Sequence, residues 1–344
     1  MSAATVAAVR LGRARQLHRR RLILTLLAAL VVVTFAASLM IGHTFYPPET
    51  VLQVILGRDA GGANFTVGEL RLPRAIVAVV VGLCFGMGGV TFQTMLRNQL
   101  ASPDIIGITA GAGAAAAFAI IVLRLSDAQV SVFAIVAGLA VALLVYLLSF
   151  RSGVLGTRLI LVGIGVAAML DSVTSYLLSR AGEWDLQQAM RWLAGSLNGA
   201  TWGDAVTVSI AFVALAPVLL AQSRNLTALR LGDDTAGALG VGVERTRVLL
   251  IITAVGLIAF GTAAAGPVAF VAFLSGPIAA RILGPRGSLL VPAGLVGALL
   301  VAVADFLGQW ALGTRFPVGV VTGVLGAPYL VYLIVRTNRA GGSL

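Results

Sequence analysis

Long uncharged runs separated by short arginine-bearing segments set the pattern of this chain. Leu22–Ile41, Ala75–Leu96, Ile105–Leu123, Ala128–Phe150 and Ala205–Ser223 carry no charge, and Leu159–Ser179 carries only Asp171. Each run approaches the ~20 apolar residues that an α-helix needs to cross a bilayer. Val248–Ala280 is uncharged for 33 residues, too long for one ordinary span. Gly266-Pro267 falls near its middle, where proline ends or kinks a helix, so two helices are expected there. Gly287–Gln309, interrupted only by Asp305, and Phe316–Val335 complete ten. The expected fold class is therefore all-α: a polytopic membrane protein of about ten transmembrane helices with both termini in the cytoplasm.

Two connections are long. Residues 42–74 contain His43, Pro47, Pro48 and Gly61-Gly62 and are expected outside. Residues 224–247 are expected inside, with apolar positions at helical spacing (Leu226, Leu229, Ala236, Leu239) punctuated by Gly232 and Gly240. That pattern predicts one or two short helices on the cytoplasmic surface. The chain divides into a basic cytoplasmic tail, 1–21, one transmembrane domain, 22–336, and a cytoplasmic tail, 337–344. The small-residue pairs Gly82/Gly86, Gly107/Gly111 and Gly319/Gly323 are expected to let helix backbones approach closely.

Composition agrees with lipid as the main solvent: 59% of residues are hydrophobic and 11% charged, against about 25% charged in a soluble domain. The net charge of +11 does not signal nucleic-acid binding. All 24 basic residues are arginine and lie between apolar runs. With the N-terminus inside, 17 of them fall in cytoplasmic segments and 7 outside, which fits the positive-inside rule and rejects the inverted topology.

Candidate chemistry is sparse. There is no lysine, so the chain cannot be a self-contained P-loop ATPase, whose lysine reaches the phosphates. The two histidines, His18 and His43, and the single cysteine, Cys84, make no zinc motif, so no catalytic set and no metal site is expected. Asp171 and Asp305 are the carboxylates inside spans, where a charge is usually functional or paired. They admit two rival readings, an ion-driven secondary transporter and an intramembrane aspartyl protease. Structural pairing or a vestibule position fits them better, because both lie toward the outer ends of their spans. Arg71 and Arg74, one turn apart in RLPR before the second span, suit either carboxylates of a docking protein or lipid headgroups.

Several segments resemble one family. RLPRAIVAVVVGLCFGMGGVTFQTMLRNQLASPDIIGITAGA (71–112), WLAGSLNGATW (192–202), LGDDTAGALGVGV (231–243), GPVAFVAFLSGPIAARILGPRGSLLVPAGLVGALLVAVAD (266–305) and FPVGVVTGVLGAPYLVYLI (316–334) look like FecCD-type permeases of ABC importers for iron-siderophore, haem and vitamin B12. The resemblance implies an ATP-driven importer subunit of the bacterial inner membrane, most often for iron-siderophore complexes, with haem or cobalamin as alternative cargo. It implies a second, similar but unlike permease subunit, two cytoplasmic ATP-binding subunits that hold the ATP and Mg, and an extracytoplasmic substrate-binding protein. The permease itself carries no cofactor and makes no covalent change. Leu231, Gly232, Asp233, Ala236, Leu239 and Gly240 match the family's coupling segment. Arg71 and Arg74 match its docking arginines. Gln309 stands where some members have a third external arginine, and Arg315 is the substitute candidate.

Overall fold

A computed structural model describes residues 3–99, 101–102, 107–149, 156–284, 287–311 and 313–339. Fourteen α-helices and one π-helical segment form these residues, with no strand among them. Ten helices match the ten apolar runs: α1 (Ala3–Met40), α3 (Leu72–Met95), α4 (Ile108–Ile121), α5 (Asp127–Ser149), α6 (Gly156–Ser179), α8 (Trp202–Ala221), α11 (Val243–Ala265), α12 (Val271–Leu283), α13 (Leu290–Trp310) and α14 (Val318–Arg339). Seven are long and apolar enough to cross a membrane, and three, α4, α12 and the apolar part of α14, are shorter.

The short ones follow from breaks in the chain. α4 has 14 residues and α12 has 13, which is about 20 Å at 1.5 Å per residue against a hydrocarbon core of about 30 Å. The irregular 266–270 segment before α12 must then sit at membrane depth, where free backbone groups are tolerated only inside protein. The 266–270 break obeys this. Gly266 and Val268 are buried. The Ala265 carbonyl accepts the Ser196 amide at 2.7 Å, and the Gly195 carbonyl accepts the Gly319 amide at 3.0 Å. Gly266 adopts φ +69° against the Trp192 carbonyl, a conformation and a closeness that glycine supplies.

α3, α11 and α13 form the centre, with 78%, 72% and 61% of their most apolar stretches buried, while α6 is only 11% buried. The α3–α13 contact is a glycine seam. A methyl at Gly82 would run into the Gly297–Ala298 backbone, and one at Gly86 into the Ala293 carbonyl. The other small-residue pairs behave differently. Gly107 precedes α4 at φ +83°, Gly319 abuts the Ala194 carbonyl, and Gly323 faces open space. Pro277 inside α12 cannot donate to Phe273, four residues back, and Gln93 of α3 supplies the missing bond at 2.9 Å.

The connections hold the remaining elements. The basic tail is a helical extension of the first span, since α1 begins at Ala3. The 42–74 connection contains α2 (Pro48–Ile55) and a π-helical stretch, Asn64–Arg71, that runs into α3. The 224–247 connection contains α9 (Ser223–Leu229) and α10 (Asp233–Ala238), the two short helices expected there. α7 (Glu183–Leu193) precedes α8, whose start is closed by a capping box between Thr201 and Asp204. The far C-terminal residues, 340–344, lie outside the described residues.

Candidate functional site

The two ends of the bundle carry most of the candidate residues. At the end predicted to lie outside, a cavity of about 660 Å³ is bordered by Arg71, Arg74, Arg315, His43 and Asp305. All three arginines singled out in the sequence therefore meet in one place, and each is already engaged. Arg74 holds Asp305 with two parallel bonds, Nε to Oδ2 at 2.9 Å and Nη2 to Oδ1 at 2.7 Å, and donates a third to Asn198 Oδ1 at 2.7 Å. Gln309, one turn beyond Asp305, donates to the same carboxylate at 3.2 Å. Arg71 donates to the Leu39 and Thr44 carbonyls at 2.9 and 2.8 Å and lies over the Tyr46 ring, pinning the exit of α1. Arg315 is exposed and donates to His43 Nε2 at 3.1 Å, and His43 packs edge-on against Trp310.

At the opposite end, the six coupling candidates divide by environment. Leu231 and Leu239 are 63% and 64% exposed, an apolar pair on the surface of the α9–α10 hairpin. Ala236 is fully buried and fixes the hairpin to the core. Gly232 and Gly240 bracket α10 at φ +103° and +84°. Asp233 accepts from Arg247 Nη2 at 2.6 Å, tying the start of α10 to α11. Arg97, at φ +53°, brings its guanidinium beside Gly232.

The two span carboxylates separate. Asp305 is nine-tenths buried in its pair with Arg74. Asp171 borders a different cavity, of about 710 Å³, between α4, α6, the 266–270 break and α14. An aspartyl dyad needs both carboxylates at one site, and this arrangement gives it none. An acid relay has the same difficulty, because Asp305 is held as an ion pair.

Sequence reasoning missed the Arg74 partners. Asp305 and Asn198 lie 231 and 124 residues along the chain from Arg74, and no local pattern connects them. It also missed α7, although Glu183 and Asp185 in the first turn and Arg191 in the last are charge signals of a helix.

The sequence profile of the FecCD transport family matches residues 30–336. The chain belongs to the FecCD transport family. It is similar to the ferric enterobactin transport system permease protein FepG of Escherichia coli (strain K12), 38% identical over 325 residues, covering 93% of this chain and 98% of that one. It is 35% identical over 319 residues to the iron(3+)-hydroxamate import system permease protein FhuG of Bacillus subtilis (strain 168), covering 90% and 95% of the two chains. A solved metal-chelate type ABC transporter in an inward-facing conformation superposes with a TM-score of 0.82 at 28% identity, covering 91% of this chain and 99% of that one. As a FecCD permease, the chain is an ABC-importer membrane subunit, a multi-pass protein of the bacterial membrane.

Proposed function

We propose that this FecCD permease is one of two membrane subunits of an ATP-driven importer for ferric-siderophore complexes, working by alternating access. The observation that carries this reading is the two-ended layout. A hairpin with two exposed leucines, Leu231 and Leu239, stands at one end, and a cavity bordered by three arginines at the other. Lysine-free, the chain depends on partners for ATP hydrolysis, and the ATP and Mg belong to two cytoplasmic subunits docked on α9–α10. Leu231 and Leu239 supply the apolar contact, while Gly232, Asp233, Ala236 and Gly240 hold the hairpin's shape. An extracytoplasmic binding protein docks over the outer cavity. Arg315, the exposed member of the trio, is the first arginine it meets; Arg71 and Arg74 are available to its carboxylates only by exchanging their present partners. The bound partners bias outward- and inward-facing states, and the permease makes no covalent change to its cargo.

The cargo class follows the relatives, which are named for ferric enterobactin and ferric hydroxamate. The test is an affinity pull-down from native membranes with mass spectrometry, followed by ATP-dependent ⁵⁵Fe-chelate uptake in proteoliposomes. Recovery of a P-loop ATPase, a second, unlike permease and a binding protein is expected. Recovery of the chain alone would refute the importer assignment, and uptake of haem or cobalamin in place of ferric chelates would correct the cargo.

A further inference from the structure

α6 is the least buried of the long spans, yet its outer half reads Asp171-Ser172-Val173-Thr174-Ser175. Asp171 lies 13 residues beyond Arg158, which begins the span. That is about 20 Å into a hydrocarbon layer of about 30 Å. Asp171, Ser172 and Ser175 are exposed, and Thr174 is half-buried. Among the described residues no side chain or amide donates to the Asp171 carboxylate. Ser175 Oγ donates to the Asp171 backbone carbonyl instead, at 2.9 Å. Lipid does not solvate a carboxylate at this depth, so this face of α6 borders water, cargo or another protein.

A cavity lies beside it. Its wall is mostly apolar, with Phe270, Phe273 and Leu330 prominent, and Thr109 and Thr174 add hydroxyls. Among the described residues that line it, Asp171 is the one that carries a charge. Its ~710 Å³ falls in the range of pockets that enclose a drug-sized molecule, about 300–1,000 Å³. The outer cavity is the electrostatic opposite, with three arginines around one neutralised carboxylate. Among the described residues, the two cavities thus present opposite charge, a cationic rim on one and a mostly apolar wall with one carboxylate on the other.

We infer that Asp171 is a charge-selecting residue of the translocation cavity. The chelates it favours are neutral or cationic ones that present an ammonium or N–H donor, and it discriminates against polyanionic ones. This rests on the ferric-chelate reading and narrows it, setting the cargo of this chain apart from anionic ferric complexes such as the ferric enterobactin for which one relative is named. In a chamber with low-dielectric walls a unit positive charge near the carboxylate is held, and a unit negative charge at the same place is repelled. The apolar remainder accepts the hydrocarbon surface of a bulky chelate.

The experiment uses the whole importer in proteoliposomes with three ⁵⁵Fe-loaded trihydroxamates. They share one core and differ in a pendant ammonium, acetamide or succinamate group. The affinity of the binding protein for each is measured separately, so that uptake is compared at equal occupancy. The expected wild-type ratio of ammonium to succinamate uptake is roughly tenfold or more, corresponding to about 1.4 kcal/mol. Asp171→Asn is expected to bring it to within about twofold of unity, and Asp171→Glu to retain it. An equal ratio in wild type and Asp171→Asn overturns the inference. Uptake of a trianionic ferric tris-catecholate in place of all three overturns the inference; should the wild type carry neither the three nor the tris-catecholate, the ferric-chelate reading fails instead, and Asp171 is then decided by labelling. Asp171→Cys in the assembled importer is expected to react with a membrane-impermeant cationic thiol reagent, while Cys84, fully buried, stays silent. An inert Asp171→Cys places the residue against lipid or a sealed interface and overturns the role.

Discussion

Removing Asp305 isolates the outer ion pair. Asp305→Ala deletes two bonds from Arg74 and one from Gln309, leaving the guanidinium held by Asn198 alone. Breaking a fully buried pair from one side costs about 3–5 kcal/mol, chiefly because the surviving charge is stranded. Here the Arg74 side chain is 17% exposed on a cavity wall, so water recovers part of that. The expected loss is about 2–3 kcal/mol for Asp305→Ala and similar for Arg74→Ala. The double variant is expected to cost less than the sum by about 1–3 kcal/mol. The protein carries its own probe: Cys84 is the only cysteine and is fully buried, so a thiol-reactive fluorophore reports unfolding in detergent. Additivity of the two single variants to within about 0.5 kcal/mol would refute the reasoning. The same variants separate two roles for Arg74. If it acts through Asp305, transport falls equally in both single variants and no further in the double. If it also meets a docking protein, Arg74→Ala weakens docking and Asp305→Ala, which frees the guanidinium, does not.

The glycine seam is tested by Gly86→Leu, which drives a side chain into the Ala293 backbone and is expected to abolish folded protein on size exclusion. Gly323→Ala, with open space around it, is expected to change stability by no more than about 0.5 kcal/mol. Gln93→Leu strands the Phe273 carbonyl opposite Pro277 and is expected to cost about 1–3 kcal/mol in the same thiol assay. Replacing both Leu231 and Leu239 by Asp is expected to leave that stability within about 0.5 kcal/mol, because both are exposed. It is expected to abolish co-purification of the ATPase subunits, and retention of the ATPases would remove the hairpin from the coupling surface.

What could be read from the chain alone depended on how local its cause was. Ten apolar runs gave ten helices, because hydrophobic length is a property of consecutive residues. The split at Gly266-Pro267 was legible for the same reason: proline removes a donor wherever it sits. The hairpin at 224–247 was legible because Gly232 and Gly240 punctuate a helical period. Arg71 and Arg74 were recognisable as a pair but not as differently employed. Their separate fates depend on Leu39, Thr44, Asn198 and Asp305, which only the packed bundle brings near. Equal spacing likewise did not distinguish Gly82/Gly86, which form a seam, from Gly319/Gly323, of which one packs and one does not. Nor did periodicity reveal that the two span carboxylates border different cavities, since both occur as isolated charges in apolar runs.

The turn between α7 and α8 joins these observations. Asp233 ties α10 to the start of α11 through Arg247, and α11 runs unbroken to Ala265. The Ala265 carbonyl accepts the Ser196 amide, the Gly195 carbonyl accepts the Gly319 amide at the start of α14, and Asn198 holds Arg74. Arg74 in turn holds Asp305 of α13. Residues 195–198 therefore bond to three separate helices within four positions. Leu193, just before this turn, borders the Asp171 cavity, and Asn198 borders the outer one. A displacement of α11 by the cytoplasmic hairpin cannot leave this turn in place without breaking the Ala265–Ser196 bond inside the protein, where no water replaces it. The cheaper response is for the turn to follow, carrying with it Asn198 at the outer cavity and Leu193 at the Asp171 cavity. The geometry thus gives α11 a mechanical reason to move both cavities together.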